Sequence, residues 1–231
     1  MSMVRNLRIK SENDRIFAEG EWAMKSRFIE DFEPIPLNRK DEFVLSDNIQ
    51  RLTTIECILQ NAGKRVIALN FANAHRAGGA YTLGGNAQEE SLCRASLLYY
   101  TIRTAKKFYK NNAKHTNALY TDGMILSENV PIIRNEDGTR LEETVYANFV
   151  TSPAVNRHGV PPWQTIVANE TMEKRIQKIV SLMQSEKPEV MVLGAFGCGA
   201  FGNKREKVLP AFERAINKYT DGSAEIIFAI P

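Results

Sequence analysis

Cysteine is scarce in this sequence: Cys57, Cys93 and Cys198 are odd in number and widely spaced, which supports neither a disulfide framework nor a C-x-x-C metal site. Histidine is equally thin, and His75, His115 and His158 show no H-x-x-x-H spacing, so no zinc centre or other metal is expected. No apolar run approaches the roughly 20 residues that cross a bilayer, so a membrane partner is not expected. The opening MSMVRNLRIKSENDRIF has basic residues with no apolar segment behind them; a secretory signal is not read there, and an intracellular, cytoplasmic monomer is expected. The sequon Asn169-Glu-Thr171 is then incidental. Charge of one sign is lacking too. Thirty basic against 27 acidic side chains leave +3, short of the basic stripe of nucleic-acid binders yet compatible with an anionic ligand.

What is present, over 231 residues, is an alternation of helix and strand signals in one globular domain. A helical stretch is read over 11–28, followed by the proline-broken FEPIPLNRKDEF; residues 1–45 are taken as a helical N-terminal appendage on a main domain of 46–231. Ile49, Leu52, Ile55, Leu59 and Ala62 predict a helix from Asp47 closed by Gly63. RVIALNF at 65–71 reads as a buried strand. A helix is expected over 88–109, from Leu92, Ala95, Leu98, Tyr99, Ile102 and Ala105. Strands follow at 124–126, 130–134 and 145–150 around a turn at 135–138. Ile176, Ile179, Val180 and Met183 mark a helix ended by Lys187-Pro188, and EVMVLG at 189–194 is another buried strand. A helix carrying Val208, Phe212 and Ile216 and a strand at 225–230 close an α/β fold with a largely parallel or mixed sheet.

Two stretches share one plan of buried strand, glycine-rich turn and helix start: residues 70–87 and 194–203. Glycine lets backbone N–H groups approach a ligand, and a helix start adds unpaired donors, so each loop can hold a phosphate or can simply be a tight turn. Neither is a Walker A motif, and GCGAFG matches G-x-G-x-x-G only weakly, so no cofactor is expected. Asn203-Lys-Arg-Glu206 has capping-box spacing and is expected to start the last helix. Glu89 and Glu90 open the helix after the first loop, about 100° apart around its axis. Acids there are favoured by the helix dipole alone. A chemical role needs a carboxyl protonated part of the time near neutral pH, which the dipole opposes and burial or a bound diphosphate promotes.

With these residues in view, the chain resembles the compact microbial poly(ADP-ribose) glycohydrolases. Gly78-Gly79-Ala80, seven residues and then Gln88-Glu89-Glu90 stand where that family has three glycines and Gln-Glu-Glu. NFAN at 70–73, LCR at 92–94, TSPAVN at 151–156 and LGAFGCGAFGN at 193–203 add to the likeness. It implies a macrodomain-like three-layer fold, a mixed central sheet between helices, binding ADP-ribose or poly(ADP-ribose) on modified macromolecules. By resemblance Glu90 is the catalytic acid, Glu89 holds ribose hydroxyls, Asn73 positions the terminal ribose and Phe201 presses that ribose toward the acid. Gly78, Gly79, Ala80 and Gln88 of the first loop and Gly194, Gly197, Cys198, Gly199, Ala200 and Gly202 of the second complete the implied ligand contacts. One departure stands out: the third glycine is Ala80, and its methyl is expected to strain a left-handed backbone or crowd the ligand. Beside the implied hydrolysis of ribose–ribose bonds in poly(ADP-ribose), two alternatives therefore stay open: a module that binds ADP-ribose without turnover, suggested by Ala80, and removal of single ADP-ribose groups from protein or nucleic acid.

Overall fold

The computed structural model describes residues 2–37, 39–115 and 117–231. Helix α1 (Met3–Glu19) and strand β1 (Lys25–Ile29) come first, then β2 (Ile49–Gln50), α2 (Thr54–Gln60), β3 (Val66–Phe71), α3 (Gln88–Ala95), α4 (Leu98–Ile102) and α5 (Lys106–Lys114). A long hairpin of β4 (Met124–Arg134) and β5 (Arg140–Ser152) follows, then α6 (Thr165–Ser185), β6 (Val190–Gly194), α7 (Arg205–Tyr219) and β7 (Glu225–Ala229). The seven strands form one mixed sheet in the order β1-β4-β5-β3-β6-β7-β2, with β5, β3, β6, β7 and β2 parallel and the β1–β4 and β4–β5 pairs antiparallel.

Burial on both faces explains why the central strands are apolar without a break. In β3, Ile67 and Leu69 enter one core with Met172, Ile176 and Ile179 of α6 and Val208, Phe212 and Ile216 of α7. Val66 and Ala68 enter the opposite core with Ile55 of α2, Leu92 and Cys93 of α3, and Phe108 of α5. The result is three layers, helix, sheet and helix. No helix among the described residues is long and apolar enough to cross a membrane.

Three helices differ from the sequence reading, each for a local reason. The first ends at Glu19 and begins at Met3, not residue 11, because Ser2 caps it (Ser2 Oγ accepts from Arg5 N–H, 3.4 Å); Phe28 lies in β1 instead, paired to Ile125 of β4. The segment read as an appendage is therefore partly built into the sheet. The helix expected from Asp47 starts only at Thr54, where Thr53 and Glu56 form a capping box, while Ile49 pairs with Phe228 of β7. The helix expected over 88–109 is three helices. Ser96 interrupts it, its Oγ donating to Leu92 C=O at 2.6 Å and accepting from Leu98 N–H at 3.1 Å, so a side chain replaces the helical ladder. The strands expected at 124–126 and 130–134 are one strand, β4, with a register shift around Asn129, whose φ is 56°.

Candidate active site

Strands β3 and β6 are neighbours, paired from Val66↔Val190 to Ala68↔Val192, after which they separate. The chain runs leftward from β3 through β5 and rightward from β6 through β7, so the reversal of strand order falls between them, where α/β sheets hold ligands. Both glycine loops leave the carboxyl ends of this pair. Gln88 seals the split: its Oε1 accepts from Phe71 N–H (2.9 Å) and its Nε2 donates to Leu69 C=O (2.8 Å) and Thr54 Oγ1 (3.2 Å), standing in for a strand partner. That ties the first residue of α3 to the end of β3 and sets the acids above the opening.

The opening is a cavity of about 540 Å³, within the range of small-molecule sites. Of the expected residues, Asn73, Gln88, Glu89, Glu90, Gly197, Cys198, Gly199, Ala200 and Phe201 line it together. Gly78, Gly79, Ala80, Gly194 and Gly202 stand outside its lining.

Both carboxylates are buried, and they are held differently. Glu89 Oε1 accepts from Asn70 Nδ2 (3.3 Å) and Oε2 from Asn73 N–H (2.8 Å), with the Gly78 N–H a further donor. Burial, the largest influence, pushes Glu89 up to about 8, against the opposing hydrogen bonds from Asn73 and Asn70 and with the Glu90 charge adding to the rise. A carboxyl shifted this way holds its proton more readily than a free one, which suits hydrogen bonding with hydroxyls. Glu90 Oε1 accepts from Ala80 N–H at 2.7 Å, whereas its buried Oε2 has no hydrogen-bond partner among the described residues. One acid is fixed at both oxygens; the other has an oxygen to spare.

The Gly78-Gly79-Ala80 run thus backs the carboxylates. Gly79 has φ 56°, and a Cβ there would stand 2.5 Å from Glu90 Oε1 and 3.2 Å from Glu89 Oε2, so neither conformation nor space admits a side chain. Ala80 corrects the expectation set by its departure from the family pattern. Its φ of −94° is open to any residue, and its methyl faces Gly85, not the cavity. The turn is closed by Gly85 N–H donating to Ala80 C=O (2.9 Å).

The second loop curls on itself through Gly202 N–H to Gly199 C=O and Asn203 N–H to Gly197 C=O, both 3.0 Å. The N–H groups of Gly199, Ala200 and Phe201 donate to no group among the described residues, a run of free donors at the cavity that suits an anion. Asn203 does not cap α7, contrary to its capping-box spacing. Lys204 is the N-cap residue, without a side-chain bond, and Asn203 is used to close the loop, donating to Val155 C=O (2.7 Å) and Gly197 C=O (3.1 Å) and accepting from Arg157 Nε (3.1 Å).

Sequence reasoning passed over several lining and supporting groups. Asn70 is the one polar residue of an otherwise apolar buried strand, a signal that was legible, and it bridges Glu89 and Thr151 Oγ1 (3.1 Å). Glu136, at the tip of the β4–β5 hairpin, and Arg205, at the start of α7, reach the cavity from elements distant in sequence, as does the C-terminal segment of Ala229, Ile230 and Pro231. Arg94 braces the segment before α3, donating to Gly85 C=O, Asn86 Oδ1 (2.8 Å) and Ser91 Oγ (2.7 Å).

Comparison with known proteins gives a consistent result. The model of the family "microbial-type PARG, catalytic domain" matches residues 9–135. The structure of poly(ADP-ribose) glycohydrolase from Thermomonospora curvata bound to the inhibitor ADP-HPD is similar at 27% identity and a TM-score of 0.82, covering 98% of this chain and 93% of that one. The enzyme from Deinococcus radiodurans in complex with ADP-ribose is similar at 33% identity and a TM-score of 0.73, covering 79% and 75%. No curated protein sequence matches the chain significantly.

Proposed function

The chain belongs to the family of microbial-type poly(ADP-ribose) glycohydrolases, glycosidases acting on poly(ADP-ribose), and we propose that Glu90 is the acid through which it cleaves the ribose–ribose O-glycosidic bond. The observation that carries this is the uneven hold on the two acids. Glu90 is anchored by one oxygen to Ala80 N–H at 2.7 Å and has the other unpartnered in the cavity wall, as a group that passes a proton must.

ADP-ribose lies in the cavity with its diphosphate on the free N–H groups of residues 199–201 and near Arg205. Glu89 and Asn73 hold the terminal ribose by its hydroxyls, and Phe201 covers its far side. Protonation of the leaving ribose oxygen by Glu90 breaks the bond to the anomeric carbon, which becomes oxocarbenium-like. The Glu90 carboxylate then takes a proton from the water that adds to that carbon. Two adjacent residues on one helix do not face each other across the bond as in most glycosidases, so one residue serves as acid and then as base.

A binding module without turnover was a reading suggested by Ala80, and the unstrained φ of −94° removes its ground. Three free cysteines fit a reducing, intracellular setting, with ADP-ribosylated macromolecules as partners. The test is release of ADP-ribose from poly(ADP-ribose) by the unmodified chain and by Glu90→Gln. The variant is expected to lose at least about 100-fold in kcat while binding ADP-ribose within a few-fold. Equal turnover by the two would refute the role given to Glu90.

A further inference from the structure

At the Phe201 end of the cavity Phe201 heads a row of three aromatic rings, of which the reaction above leaves two, His75 and Tyr120, without a role. His75 and Tyr120 have ring centroids 5.4 Å apart, edge to face, and Tyr120 and Phe201 are 6.2 Å apart. Phe201 lines the cavity; His75 and Tyr120 do not. His75 lies two residues after Asn73, its N–H donating to Asn73 Oδ1 at 2.9 Å, so the row begins beside the residue assigned to the terminal ribose.

Tyr120 is held there against its own preference. Its φ is 59°, in the left-handed region that a bulky side chain rarely enters. The surrounding structure enforces it from beneath. The fully buried Arg175 of α6 donates to Leu119 C=O (2.9 Å), more weakly to Tyr120 C=O (3.4 Å), and to Asp122 Oδ1 through Nε (3.1 Å) and Nη2 (3.0 Å). The buried Asn112 of α5 adds its Oδ1, accepting from Thr121 N–H (2.9 Å) and Oγ1 (3.1 Å). Glycine would satisfy such a turn without strain. A tyrosine kept there by two buried polar side chains, at the rim of a ligand cavity, is the pattern of strain retained for use.

We propose that Tyr120, flanked by His75, is a specificity-determining residue that stacks on the base or ribose of the ADP-ribose unit on the leaving side of the scissile bond. This rests on the reading that places the terminal ribose between Asn73 and Phe201. What is attached to that ribose must emerge past Phe201, and half-buried Tyr120 is the next surface it meets. The rim therefore favours a polymer over a lone ADP-ribose.

The test compares affinity for a poly(ADP-ribose) oligomer of defined length with affinity for free ADP-ribose, in the Glu90→Gln background, and kcat/KM on the same oligomer with Glu90 intact. Tyr120→Ala is expected to lower oligomer affinity and kcat/KM by about 5- to 150-fold, the worth of one base–aromatic stack, and to leave ADP-ribose affinity within about 2-fold. Tyr120→Phe should retain both. Tyr120→Gly relieves the backbone and should melt no lower than the unmodified chain while showing the same loss on the oligomer, which a merely structural tyrosine would not. An unchanged oligomer-to-monomer affinity ratio in Tyr120→Ala, or an equal loss on both ligands, overturns the proposal. Absence of turnover by the unmodified chain would overturn the catalytic reading alone, because the affinity ratio still decides Tyr120.

Discussion

Replacing Gly79 with alanine separates the work of the first loop from its fold. A left-handed alanine costs about 1–2 kcal/mol at the backbone φ of 56° found here. For a chain of this size that is a fall in Tm of roughly 2–8 °C. The second effect is positional: the new Cβ would stand 2.5 Å from Glu90 Oε1, roughly 0.9 Å short of ordinary contact, and the carboxylate must turn away from the Ala80 N–H that orients it. A displacement near 1 Å at a reacting group is worth about 100-fold in rate. Gly79 is outside the cavity lining, so the affinity for ADP-ribose should stay within about 3-fold, and the loss should fall on kcat. Gly63 supplies the control, having φ +88° and nothing within 4 Å of a built Cβ. Gly63→Ala should carry a similar thermal penalty with unchanged turnover. Kinetics of ADP-ribose release together with thermal melts of both variants decide the matter. A folded Gly79→Ala enzyme with kcat within about 3-fold of the parent, or a Gly63→Ala enzyme equally slowed, would refute the view that this glycine exists to seat Glu90.

Two further outcomes follow from the same site. Ala80→Gly should leave turnover and ADP-ribose affinity unchanged and lower stability by about 0.4–1 kcal/mol in denaturant titrations, since a residue with φ −94° gains nothing from glycine; faster turnover would show that the methyl obstructs the ligand after all. Glu89, raised to about 8 from an ordinary 4.5, binds its proton more tightly folded than unfolded, so its stabilising share is complete below about pH 4.5 and is lost as pH rises through about 8. Glu89→Gln should accordingly gain on the parent by roughly a few kcal/mol between pH 5 and pH 9; parallel stability profiles for the two proteins would disprove the raised value.

Much of the three-layer fold was legible because the central strands are buried on both faces, which leaves unbroken runs such as VIALNF and VMVLG between helices. Both loops were legible for the same reason, as the places where those runs give way to glycine. The helix boundaries were not. Apolar spacing continues through Ser96 and across Thr53, and only competing side-chain bonds, Ser96 Oγ to Leu92 C=O and the Thr53–Glu56 box, stop the helices where they do. Asn203 misled in the opposite sense: its capping spacing is real, but Gly197 in the loop and Val155 and Arg157 after β5 take its amide from the helix. Residues such as Glu136 and Arg205 join the site through sheet topology and loop docking, which no local window contains.

The glycine run itself had to be reassigned. It was read as a surface offered to phosphate, but the cavity is walled by the second loop and by the start of α3, while the first glycines lie behind the two acids and carry the N–H groups of Gly78 and Ala80 that hold them. This explains the seven residues between Ala80 and Gln88. They must bring the chain back so that α3 begins within hydrogen-bond reach of the loop it has just left, and the return is braced by Gly85 N–H to Ala80 C=O and by Arg94 on Gly85 and Asn86. The methyl of Ala80 fits against Gly85, so the two positions are complementary: a Cβ at Gly85 would stand 2.6 Å from the Ala80 Cβ. A side chain at residue 85 would then be tolerated only if residue 80 were glycine, and the departure at Ala80 is compensated within the same turn instead of being borne by the ligand.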